Sequence, residues 1–288
     1  MVERNSLVWT VAAEACRAMD IQPTAACAND VLGAIRLVGR ALMKVSIVIP
    51  VYNEARTVDA LLERVWSQSL PGFEKELLVI ESNSTDGSRE LVQNFITRHP
   101  NSKSCSIQAI YEIAPRGKGH AVRQGFKAAS GDIFLIQDAD LEYDPADYQK
   151  LLQPIAEGRA AFVLGSRYMG PRRWRIRKFG TIGLRAVCIN YGARLFHKFF
   201  NLLFGSRLTD PTTMYKVFRA ECLRGLHFTC DRFDFDFELL GKLMLAGFVP
   251  VEIPVSYRSR GYDQGKKADI WRDSPIGPLA IIKTRFAR

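Results

Sequence analysis

The sequence predicts an α/β fold, a mostly parallel sheet with helices on both faces, followed by a carboxyl-terminal region of different character. Three observations carry this reading. Short β-branched runs alternate with helical patterns over residues 45–164. A mostly apolar strand at 133–137 runs directly into three acids, as expected where the carboxyl end of a strand faces a site in an open sheet. Finally, residues 167–207 hold ten Lys or Arg and no Asp or Glu, which matches the whole net charge of +10. With 288 residues, 47% of them hydrophobic and 24% charged, the chain can bury one large core or two modest ones.

The elements follow in order. Residues 45–51 (VSIVIPV) form the β-branched run of a parallel strand buried on both faces. A helical pattern spans 55–68 and a second strand 77–80, after which Thr85-Asp86-Gly87 opens a helix reaching residue 98. A third strand at 107–111, a helix at 118–129, the strand ending at Asp138, a helix at 147–157 and a fifth strand at 161–164 complete the alternation. The helical pattern at 181–204 places Asn190, Arg194, His197, Lys198 and Asn201 on one polar stripe, with Phe196, Phe199, Phe200, Leu202 and Phe204 elsewhere. Preceded by PRRWRIRK at 171–178, this helix reads as interfacial, lying on a membrane. The competing reading is a helix packed into the core behind a solvated stripe. Residues 1–43 are Ala-rich; they divide between an extension outside the fold and an amphipathic helix at 30–42.

Composition narrows the classes. The six cysteines show no C-x-x-C pair and no zinc-like spacing, as expected of reduced thiols in a cytosolic compartment. No apolar run reaches the roughly 18–20 residues that span a bilayer, and acids and Pro23 interrupt any signal-peptide pattern in 1–43. The local basic surface implies an anionic partner. Nucleic acid is disfavoured, because no recognisable nucleic-acid module surrounds PRRWRIRK. A dinucleotide fingerprint lacks its third glycine, and no phosphate-loop motif is present.

Asp138, Asp140 and Glu142 alternate along an extended segment and can point the same way. Three converging carboxylates repel one another unless a divalent cation, Mg²⁺ or Mn²⁺, sits between them; a solvated acidic turn before Pro145 is the bland alternative. Pro50-Val51-Tyr52-Asn53-Glu54 follows the first strand at the same sheet edge, with Tyr52 offering a ring for a base and Glu54 an acceptor. Glu81 and Asp86 bracket a polar turn, where a helix cap would equally explain Asp86. Arg116-Gly117-Lys118-Gly119 opens a helix whose N–H groups and Lys118 suit a diphosphate.

Taken in order, IVIPVYNE, VIESNSTDGS, GKGHAVRQG, DADLEYDP and GSRY resemble the family-2 glycosyltransferases of GT-A fold, and among them the polyprenyl-phosphate branch, over residues 45–267. The resemblance implies nucleotide contacts at Pro50, Tyr52, Glu54 and Glu81. It implies a metal-and-diphosphate motif at Asp138 and Asp140, with Glu142 as a further contact. Ser166 and Arg167 fall where the acceptor phosphate is met, with Arg177 as a second cation. Arg260 and Lys266 fall in the loop that closes over the donor. Many members carry two aspartates where this chain has Glu81-Ser82, which leaves the base open.

The expectation is an inverting, metal-dependent transfer of a hexose from a GDP-mannose or UDP-glucose type donor to a polyprenyl (dolichyl or undecaprenyl) phosphate. The enzyme would be cytoplasmic and peripheral on an anionic membrane surface. The alternative is a soluble or glycan hydroxyl acceptor, with Asp236 or Glu238 as base. The chain then divides into an extension (1–43), a nucleotide-sugar-binding half (44–166), a basic membrane and acceptor segment (167–208) and an acceptor half (209–288). Nucleotide, sugar and oligomeric state stay open.

Overall fold

The structure is a computed structural model that describes residues 42–169, 184–260 and 276–286. Arg177, Lys266, the PRRWRIRK cluster and the pattern at 30–41 lie outside the described residues. The apolar runs become β1 (Met43–Val51), β2 (Phe73–Glu81), β3 (Cys105–Tyr111), β4 (Ile133–Ile136) and β5 (Phe162–Ser166). Val45, Ile47, Val48 and Ile49 are all fully buried, as a strand covered on both faces requires. Two further strands, β6 (Lys216–Arg219) and β7 (Val251–Pro254), complete one sheet in the order β3-β2-β1-β4-β6-β5-β7.

β1, β2, β3 and β4 run parallel to one another, whereas β6 runs antiparallel to both β4 and β5. The sheet is therefore mostly parallel, with one reversed strand near its centre that the sequence pattern did not announce. β6 is four residues long and begins at a lysine, so it carries neither the length nor the apolar run of a buried strand.

Helices cover both faces. α1 (Val58–Ser67), α2 (Ser88–Arg98) and α4 (Tyr148–Ala156) pack Leu61, Phe95 and Leu151 on one side. On the other, α3 (Lys118–Ala128), α5 (Leu184–Phe204), α6 (Phe235–Leu245) and α7 (Ile276–Phe286) contribute Val122, Phe200, Leu239 and Ile281. Gly125 lets α3 lie against Val48 and Ile80, where a Cβ would overlap both side chains. That close seat fixes the start of α3 at the carboxyl edge of the sheet.

α5 departs from the interfacial expectation. Phe200 is fully buried, and Phe196, Phe199 and Phe204 pack on the second core. Two members of the polar stripe turn inward: His197 is buried and Asn201 bonds Leu208 through its backbone N–H and C=O. The helical wheel does not separate the two sides, since the core takes His197 together with Phe200 while Leu202 faces outward. Among the described large apolar side chains of this helix, Tyr191, Leu195 and Leu202 are exposed, the last at 80%. Among the described residues no helix is long and apolar enough to cross a membrane.

Candidate active site

The parallel register brings the loops after β1, β2, β3 and β4 to one edge. Val48 pairs with Ile136, and Gln137 donates its N–H to the Val48 carbonyl at 3.0 Å, so Asp138 emerges beside Pro50. The chain order reverses between β1 and β4, the crevice where open α/β sheets bind ligands.

Polar turns shape this edge. Asn53 adopts φ 51°, which Asn tolerates better than most residues. It is held there by Ser84 Oγ accepting its N–H and by its own Oδ1 accepting from Thr85 N. Asp86 accepts from the N–H groups of Ala55 and Ser88 and from the Ser88 hydroxyl, tying the β1 loop to the start of α2. These bonds outweigh burial and hold its carboxyl below the usual range. Glu81 is 0% exposed; it accepts from Ser84 N at 2.6 Å and pairs with Arg89. Both acids thus brace the turn around Tyr52, whose ring stays 41% exposed. Ser82 donates to Glu112, which also bonds His120, so a second carboxylate near this strand end comes from the loop after β3.

The acidic cluster forms. Lys118, at the first turn of α3, pairs with Asp138. Burial alone would lower its ammonium, but Asp138 and Asp236 outweigh that and hold it above its ordinary value. Gly117 (φ +114°) starts this turn in a conformation that L side chains rarely adopt, and a Cβ there would overlap the Asp231 carbonyl. Arg260, 206 residues from Glu54 in the chain, reaches Glu54 at 2.9 Å and Asp140 at 3.1 Å. Burial, then the charges of Asp138 and Glu142, push the Asp140 carboxyl up to about 7. Glu142 accepts the Arg260 backbone N–H at 2.9 Å and the Tyr257 hydroxyl.

The residues expected at the acceptor form a separate group. Arg167 has only 7% of its side chain exposed; its Nε and Nη2 donate to Asp210 at 2.7 and 2.8 Å, and Nη2 also to Thr212. Asp210 remains below its ordinary value because Arg167 outweighs the cost of burial. Ser166 is buried against Thr209, 2.6 Å between hydroxyls. The Arg167 guanidinium lies 5.0 Å from the Tyr257 ring centroid, so Tyr257 touches both groups. Of the two candidate bases, Glu238 is occupied by the N–H groups of Thr229 and Cys230 and by Lys242. Asp236 lies 3.8 Å from the fully buried Lys216. The sequence reading gives no role to Asp210, Tyr257 or Lys216. The Asp210-Pro211-Thr212 tripeptide was the available signal.

The hard carboxylate oxygens here suit Mg²⁺ or Mn²⁺. A charge stand-in is already present, since the Arg260 guanidinium bridges Glu54 and Asp140. Among the described residues no three ligands already surround one metal position. Asp138 and Asp140 offer their carboxylate oxygens at this edge, one beside Lys118 and the other beside Arg260.

Residues 46–226 match the profile described as Glycosyl transferase family 2. A dolichol-phosphate mannosyltransferase of Pyrococcus furiosus is 28% identical over 229 residues, covering 80% of this chain and 61% of its own. An undecaprenyl-phosphate 4-deoxy-4-formamido-L-arabinose transferase of Yersinia pestis is 35% identical over 118 residues, covering 41% of this chain and 35% of its own. This chain therefore spans less than two thirds of either relative. Among solved structures, glucosyl-3-phosphoglycerate synthase of Mycobacterium tuberculosis shares the fold with a TM-score of 0.62 at 18% identity, covering 89% of this chain and 84% of that one. The same enzyme has been solved with Mn²⁺, UDP and glucosyl-3-phosphoglycerate.

Proposed function

The chain belongs to glycosyl transferase family 2, and from that premise we propose that it is an inverting hexosyltransferase. It takes a sugar from a nucleotide donor of the GDP-mannose or UDP-glucose type and gives it to a polyprenyl phosphate at a membrane surface. The observation that carries the reading is the gathering of Glu54, Asp138, Asp140, Lys118 and Arg260 at the crevice between β1 and β4.

Tyr52 offers its ring to the base beside Pro50, while Glu81 and Asp86 hold the turn that sets its position. The C1–O bond to the diphosphate breaks with its electron pair on the leaving oxygen. An acceptor oxygen attacks C1 from the opposite face, which inverts the configuration. Lys118 and Arg260 offset the charge that develops on the leaving group. When bound, Mg²⁺ or Mn²⁺ on Asp138 and Asp140 supplies Lewis-acid stabilisation of the same charge. A lipid monophosphate has its second pKa at about 6, so it attacks without giving up a proton. Arg167 and Arg177 are the cations that draw this anion toward another anion, with Asp210 fixing the Arg167 fork.

Two features support a lipid acceptor. Two relatives are named as transferases acting with dolichol phosphate and undecaprenyl phosphate. Helices α5 and α7 leave Leu195, Leu202, Leu279 and Phe286 exposed. A second reading, a hydroxyl acceptor, draws on Asp236, the acid that acts on Lys118 and is the freer of the two candidate bases.

An assay of the full chain with UDP- and GDP-sugars, against a polyprenyl phosphate and sugar alcohols, decides between them. The expected result is transfer to the lipid phosphate alone, abolished by excess chelator. Transfer to hydroxyls alone would establish the second reading. Replacing Arg172, Arg173, Arg175 and Lys178 together by Gln should weaken binding to anionic liposomes by about 4 kcal/mol at most. Transfer to a water-soluble prenyl phosphate should survive.

A further inference from the structure

Away from the transfer centre, α3 and the segment 223–228 line a cavity of about 550 Å³, well within the size range of small-molecule sites. Its charge is one-sided. Arg116, Arg123 and Lys127 line it together with the imidazoles of His120 and His227, and none of its ten lining residues is acidic. The acids that bond two of these side chains, Asp231 on Arg123 and Glu112 on His120, are not among the ten. Phe126, Phe228 and Leu226 supply an apolar wall.

Arg123 is built into place. One Nη donates to the Phe228 carbonyl at 2.6 Å and the other pairs with Asp231. Its buried Nε–H has no acceptor. Solvation of a basic surface would account for Lys127 and His227, which are exposed. It does not account for a guanidinium fixed by Phe228 and Asp231 in a cavity where cations meet an aromatic wall.

We propose that this cavity is a second anion site, one that takes a phosphate monoester. A phosphate dianion matches the arginine and lysine charges through strong, charge-assisted bonds, and the Phe and Leu wall suits the carbon side of an ester. Free phosphate offers the same head chemistry without the tail. The cavity borders the Arg116–Gly119 turn read above for a diphosphate, but Arg123, Lys127 and His227 have no part in the transferase reading.

The test is calorimetric titration of the full chain with inorganic phosphate, hexyl phosphate and hexanol. Both phosphates should bind and hexanol should not. Tighter binding of hexyl phosphate identifies an ester as occupant, and equal affinity identifies free phosphate. The double variant Lys127→Gln/His227→Gln, altered at two exposed positions, should lose about tenfold or more in phosphate affinity and keep the wild-type thermal midpoint. In the unmutated chain, hexyl phosphate should shield Lys127 from amine acetylation, read by mass spectrometry. Wild-type affinity in the variant, hexanol binding like hexyl phosphate, or an unshielded Lys127 would each overturn the assignment.

Discussion

Two ion clusters meet at Tyr257 and are built in opposite ways. In the first, Glu54, Asp138, Asp140 and Glu142 share Lys118 and Arg260, four carboxylates to two cations. In the second, Asp210 takes both forks of Arg167, with Thr212 and His197 closing the group. Burial acts on both, yet the outcomes differ in sign. Asp140 is pushed up to about 7 by burial and by its acidic neighbours. Asp210 is drawn below its ordinary value because its arginine outweighs burial. A cluster short of positive charge is poised to receive a cation; a cluster whose acid is matched holds its arginine in one direction. The difference separates a place where ligands act from a place that keeps a side chain aimed.

The largest effect that would sharpen this contrast is in the complete cluster. Asp210→Asn leaves Arg167 buried without its counter-ion and should cost about 3–5 kcal/mol in stability, measured by urea unfolding. A cost under about 1 kcal/mol would show that the pair holds nothing. Next comes the crowded cluster. Asp140→Asn should cut turnover at least about a hundredfold, roughly 2.7 kcal/mol in barrier, without lowering the thermal midpoint. Added Mg²⁺ or Mn²⁺ should raise the midpoint of the wild type but not of this variant.

The two clusters should also respond to pH with opposite signs. Asp140 keeps in the native state a proton that the unfolded chain gives up near 3.8. In chelator, its contribution to stability therefore falls as pH rises from about 4 to about 7, and Asp140→Asn should flatten that fall. Asp210 is the reverse case: its contribution is present above its ordinary value near 3.8 and is lost as pH drops below it. The smallest expected effect is at the junction. Tyr257→Phe removes the hydroxyl that donates to Glu142 but keeps a ring beneath Arg167, and should cost about 1 kcal/mol. A much larger loss of activity than of stability would mean that the two clusters do not act independently.

Much of the first half was legible in the sequence because β1, β2 and β4 are buried on both faces, and such strands read as unbroken apolar runs. The acidic cluster was legible because its three acids sit within five residues of one strand end. What escaped was non-local or small. Nothing near Arg260 announces that it will reach Glu54, and nothing in Lys-Val-Phe-Arg announces a strand near the sheet centre. α7 is short, carries its apolar residues on most sides, and was not predicted. His197 was read as part of a polar stripe and is instead buried 3.1 Å from Thr212, because the core accepts a hydrogen-bonded imidazole beside the buried Phe200, which periodicity does not reveal.

The strand order has a consequence for how the chain comes off the ribosome. β5 pairs only with β6 and β7, both made after it, so residues 162–166 emerge roughly 50 residues before their first partner at Lys216. At about 5–20 residues per second, that leaves a strand buried along its whole length in the fold unpaired for several seconds. The β1–β4 half can assemble meanwhile, since all its pairings lie within residues 43–136. Nascent chains halted near residue 210 should therefore protect β1–β4 from protease and leave β5 open to cleavage, whereas chains extended past β7 should protect both. The reversed central strand thus makes late synthesis the step at which the two halves of the sheet become one.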